Sequence, residues 1–136
     1  MAGSPLDLKF ALVVADHPGI REIVCEILES RKCIVQRAQD CLDALALATT
    51  GRTFDLLVEA ISIPHADGFN LAEELLRQRP TLKVLVITGR IEGTEFASMA
   101  TLPNVRFIGK PFDPTELIHA AEQLFTSGQR TRRADA

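Results

Sequence analysis

The chain has 136 residues, enough for one domain of ordinary size and too few for two. Hydrophobic residues make up 46% and charged residues 24%, a balance that excludes wholesale disorder, and a core of this size needs no disulfide or metal. Fifteen basic against eighteen acidic residues leave a net charge of -3, which argues against a nucleic-acid-binding body. The longest apolar run, at 10–15, is far short of the roughly 20 residues that span a bilayer. With no signal-peptide pattern, the expectation is a cytoplasmic protein with no membrane partner. Cys25, Cys33 and Cys41 are an odd set without CxxC spacing and read as reduced thiols.

In chain order, the apolar run at 10–14 predicts a first strand. Ile20, Ile23, Val24, Ile27 and Leu28 then fall on one helical stripe. A weaker strand follows at 33–36, and Asp40 and Asp43 give an acidic start to a helix through Ala48. The run at 56–58 is a third strand. Asp67 and Gly68 precede a helix carrying Phe69, Ala72, Leu75 and Leu76, which Pro80 stops. A fourth strand lies at 84–87, and the helix predicted over 92–100 is diluted by Gly93, Thr94 and Ser98. After a fifth strand at 105–108, Asp113, Pro114 and Glu116 mark the start of a last helix with Leu117, Ala121, Leu124 and Phe125 on one face. The expected divisions are a lead at 1–7, one domain at 8–127, and a basic tail at 128–136. That tail holds Arg130, Arg132 and Arg133 and reads as a solvated end or the start of a linker.

Near-continuous apolar strands alternating with amphipathic helices predict an α/β fold, a five-stranded parallel sheet covered on both faces. The common strand order is 2-1-3-4-5, with its switch point between strands 1 and 3. Ligand chemistry is therefore expected after Val14 and after Glu59, where the loops at 15–18, 60–67, 88–89 and 109–112 converge.

Those loops carry Val13-Val14-x-Asp16-x-Pro18-x-x-Arg21, Asp55-Leu56-Leu57-Val58, Ile63-Pro64-x-x-Asp67-Gly68, Val86-Ile87-Thr88-Gly89 and Phe107-Ile108-Gly109-Lys110-Pro111-Phe112. In this order they resemble the receiver domains of two-component response regulators, from about residue 9 to residue 125. The resemblance implies a flavodoxin-like fold and a phosphorelay role. In such receivers a kinase histidine phosphorylates an aspartate ending the third strand. Two acids ending the first strand help that aspartate hold Mg²⁺, and a Thr or Ser and a Lys contact the phosphoryl group. Asp16 then corresponds to the second acid, Thr88 to the switch hydroxyl, Phe107 to the switch aromatic and Lys110 to the pocket lysine. Pro111 would follow a cis bond, as in similar receivers.

Two positions depart from the pattern. The first acid is Ala15, and the acceptor position, four residues before Pro64, is Ala60. A methyl group cannot be phosphorylated. Glu59 is adjacent, but strand alternation aims it at the other face. Asp16 and Lys110 sum to zero charge, so a standing ion pair is expected between them, with Mg²⁺ held weakly or not at all and no other cofactor. A zinc site from His17 and His65 beside Asp16 is the minor metal reading. A hydrolase from Ser62, His65 and Asp16 lacks a GxSxG elbow.

The expectation is thus a phosphorylation-independent receiver, not an enzyme, that works by protein–protein docking. Its partner would be a histidine kinase, a phosphotransfer or regulator protein, or a second copy. The expected surface, carried over from the family, is the helix at 92–100 with the fifth strand and last helix: Ile91, Phe96, Met99, Arg106, Ile118 and Glu122. The alternatives are a non-phosphorylatable variant of a working receiver and a small-molecule or metal sensor using the emptied crevice.

Overall fold

The computed structural model describes residues 4–50, 53–60, 66–89 and 102–135, with side chains left out at 66–70 and 127–135. Its strands are β1 (Phe10–Ala15), β2 (Ile34–Ala38), β3 (Leu56–Ala60), β4 (Lys83–Thr88) and β5 (Val105–Gly109). The described helices are α1 (Pro18–Glu29), α2 (Cys41–Thr49), α3 (Ala66–Gln78) and, last in the chain, α4 (Pro114–Asp135). The helix expected over 92–100 lies outside the described residues.

All strand pairs are parallel, in the order β2-β1-β3-β4-β5. The pleat sorts the strands onto two cores. Ala11, Val13, Ala15, Leu56, Val58, Ala60, Leu85 and Ile87 face α1 and α4 with Val24, Leu28, Leu117 and Leu124. Leu12, Val14, Leu57, Val84 and Val86 pack with Ala44, Leu71, Ala72 and Leu75 of α2 and α3. Burial on both faces explains why the inner strands carry unbroken apolar runs. Asp55 fixes the start of the central pairing. Its Oδ2 accepts from Phe10 N at 2.9 Å, its N–H donates to Phe10 O at 2.8 Å, and its carbonyl accepts from Lys83 N at 3.1 Å.

Several boundaries move from their expected places. β2 runs to Ala38, because Arg37 and Ala38 complete the ladder with Val13 and Val14. α3 begins at Ala66, so Asp67 and Gly68 lie within its first turn and do not precede it. α4 continues to Asp135, carrying its helix past Gly128 into the expected tail. On α1 the buried side chains are Val24, Cys25, Ile27 and Leu28, while Ile23 is 48% exposed. Cys25 thus takes a core place that the aliphatic stripe had assigned to Ile23. The amino-terminal turn also joins the core: Leu6 is fully buried with the α1–α4 set, and Ser4 Oγ donates to Glu122 Oε2 at 2.5 Å.

Candidate functional site

The crevice lies at the carboxyl ends of β1, β3, β4 and β5, as the switch point requires. Its floor is apolar. Ala15 and Ala60 pair directly across β1 and β3, and Ala60 pairs with Ile87 of β4. Ala15 is 0% and Ala60 1% exposed, so water hardly reaches the two methyl groups. The Arg21 guanidinium lies over this end of β1, its Nη1 donating to the Ala15 carbonyl at 2.7 Å.

Around that floor the family positions are present. Asp16 follows β1 and is exposed, Thr88 ends β4 and is buried, and Lys110 follows β5 half-buried. The Lys110 backbone N–H donates to the Thr88 carbonyl at 2.9 Å, tying the two loops together. The Lys110–Pro111 peptide is cis. Phe107 is half-buried and packs on the α2–α3 side of the sheet.

Among the described residues no ion pair joins Asp16 to Lys110, contrary to the expected standing pair. The strand order supplies the reason. β1 and β5 are three strand spacings apart, about 14 Å, and the residue ending β3 between them is Ala60.

His17 has a use that composition did not reveal. It is the N-cap of α1, and its Nδ1 accepts from Ile20 N at 3.2 Å, which fills the role usually taken by Ser, Thr, Asp or Asn. Pro18 occupies the first turn behind it. A Cβ at position 19 would approach His17 Cε1 to 3.0 Å, so Gly19 leaves room for the cap. His65 and Ser62 lie outside the described residues. Among the described residues no three His, Cys, Asp or Glu side chains form a metal-binding group. The Cys25 and Cys33 thiols are free and buried, and desolvation pushes each up to about 11, which leaves them inert as nucleophiles.

Glu59 is the residue whose environment the sequence reading left unexplored. It points to the face opposite Ala60, as alternation predicts, and is 2% exposed among apolar neighbours. Its Oε1 has no hydrogen-bond partner, and burial pushes its carboxyl well above the usual carboxylate range. The signal was present: a glutamate inside a strand covered on both faces has to be buried.

Beside the crevice, Ile20, Ile23 and Ile27 of α1 face Pro111, Phe112 and Pro114 across an open groove of about 420 Å³, which Lys110 also lines. Ile91, Phe96 and Met99 lie outside the described residues. Arg106 is half-buried on β5, Ile118 packs against the α1–α4 core, and Glu122 is held by Ser4.

Comparison with known proteins identifies the family. Residues 11–122 match the response regulator receiver domain family. The transcriptional regulatory protein AruR of Pseudomonas aeruginosa is 30% identical over 92% of this chain, which covers 51% of AruR. An uncharacterised 14.6 kDa protein of Leptolyngbya boryana is 32% identical over 82% of this chain and 86% of its own length. The crystal structure of a CheY-like receiver domain protein from Methanospirillum hungatei superposes with a TM-score of 0.76 at 25% identity, covering 92% of this chain and 99% of that one. The chain spans about half the length of AruR and of the regulatory protein VanRc. A five-stranded sheet of this order, a crevice with Asp16, Thr88 and Lys110 at its rim, and a family match over most of the sequence leave one conclusion: the chain belongs to the response regulator receiver domain family.

Proposed function

We propose that this receiver domain works without phosphorylation at the usual position and acts by docking another protein, with no catalysis of its own. One observation carries the reading: the acceptor position is Ala60, paired with Ala15 where the first acid would stand, and both methyl groups are buried. Methyl carbons offer no lone pair to a phosphoryl group. Among the described residues the remaining carboxylate at the crevice rim is Asp16, one ligand where Mg²⁺ wants several in exchange for its water. The buried floor gives no support to a sensor that fills an emptied crevice.

The groove between α1 and the loop after β5 is the docking surface we favour over the one around the last helix. It is open and apolar, and it borders Lys110, so a protein that addresses the crevice also meets Ile20, Ile23 and Phe112. The occupant is a histidine kinase or a phosphotransfer or regulator protein.

The test is a Mg²⁺ titration followed by amide resonances, on the wild type and on Ala15→Asp/Ala60→Asp. Wild-type resonances at Asp16, Thr88 and Lys110 stay fixed at sub-millimolar Mg²⁺, and those of the double variant move. Movement in the wild type would overturn the reading.

A further inference from the structure

We propose that Glu59 is a proton-responsive element that sets the sheet face carrying Phe107, so that gain or loss of a proton at its carboxyl supplies an input in place of a phosphoryl group. The proposal rests on the reading that Ala60 takes no phosphoryl group.

The strand register provides the geometry. Val14 pairs with Glu59, Glu59 with Val86, and Val86 with Phe107, so the four form one continuous row across β1, β3, β4 and β5. Alternation puts the whole row on the α2–α3 side of the sheet. Glu59 is 2% exposed there, with Oε1 unpartnered. Phe107 sits two strand spacings away, about 10 Å between backbones, with only Val86 between.

The surroundings make the two protonation states differ. The strand side chains on this face near Glu59 are Leu12 and Val14 of β1, Leu57 of β3, Val84 and Val86 of β4, and Val105 and Phe107 of β5. Thr88 of β4 adds a hydroxyl and no charge. From α2 come Ala44, Leu45 and Ala48 with the Cys41 thiol, and from α3 come Leu71, Ala72 and Leu75. Among the described residues no charged side chain offsets the desolvation of Glu59. A neutral carboxyl can stay in such a place, whereas desolvation disfavours a carboxylate there and drives it toward water. When the O–H bond breaks, the proton passes to solvent. The departing side chain leaves a space beside Val86 that the Phe107 ring can enter.

The test uses the whole chain, with methyl, aromatic and carboxyl resonances followed from acid to mildly alkaline pH. In the wild type the Glu59 carboxyl carbon, the Val14 and Val86 methyls and the Phe107 ring titrate with one shared midpoint above the ordinary carboxylate range. In Glu59→Gln the Val14, Val86 and Phe107 signals are flat. Glu59→Leu, of similar volume, gives the same flat profile should the glutamine variant fold poorly. A Glu59 titration that leaves Phe107 unmoved would overturn the proposal. So would no titration, or a Phe107 response that persists in the variants. Phosphoryl uptake by the wild type is a separate readout, and it would remove the phosphorylation-independent reading without altering the outcome of this titration.

Discussion

Ala60 and Glu59 are consecutive, and the pleat sends them to opposite cores. For Glu59 the sign of the pH effect follows from its raised pKa. The unfolded chain releases the proton at the ordinary carboxylate pKa, while the folded chain holds it to higher pH. Stability is therefore greatest below the unfolded pKa and falls as pH rises through the interval up to the folded value. Glu59→Gln should remove that slope and be more stable than wild type at neutral pH, as read by denaturant unfolding at a series of pH values. For Ala60, replacement by Asp alone puts a carboxyl where 1% of the residue is exposed and should cost about 1–3 kcal/mol without Mg²⁺, measured by the same unfolding. That Ala15, Ala60, Asp16, Thr88 and Lys110 lie around one crevice was legible from the strand ends, and the roles expected of them came from the resemblance to receiver domains. The His17 cap and the Arg21 contact to Ala15 were not, because each depends on how a loop closes in three dimensions. His17→Ala should cost about 1 kcal/mol, the usual worth of an N-cap.

Elements in this chain are held by bonds at their ends as much as by propensity. Asp55 joins the starts of β1, β3 and β4, so Asp55→Ala should cost about 1–2 kcal/mol by removing the acceptor of the Phe10 N–H. The unfolding midpoint checks it, and an unchanged midpoint would mean water replaces the carboxylate at no cost. Strand positions were legible because buried parallel strands must be apolar on both faces. Their ends were less so: β2 shows an exposed, alternating pattern at the sheet edge, with Ile34 and Gln36 outward and Ala38 buried. Position 23 on α1 shows the limit of stripe reasoning. A stripe says which residues share a helix face, and the loop after β5 decides where that face stops being covered. For that reason Ile23→Glu should leave the unfolding free energy within about 0.5 kcal/mol of wild type while weakening docking to a kinase or phosphotransfer partner roughly tenfold. Calorimetric titration with that partner would measure it.

At the scale of the whole molecule, the order β2-β1-β3-β4-β5 places the crevice where β1 and β3 diverge, with Ala15 and Ala60 at its floor and Asp16, Thr88 and Lys110 at its rim. That much follows from five apolar runs, the handedness of their crossovers and the loops between them. Among the described residues no helix is long and apolar enough to cross a membrane. What changes in this receiver is the charge of the crevice, since two methyl groups stand in register where carboxylates would gather a cation. The most direct measurement is the intact mass of the wild type and of Ala15→Asp/Ala60→Asp after incubation with Mg²⁺ and a small acyl-phosphate donor. The account predicts no added mass on the wild type and one phosphoryl group on the double variant. Stoichiometric phosphoryl gain by the wild type would contradict it, and would mean that another carboxylate reaches the acceptor site.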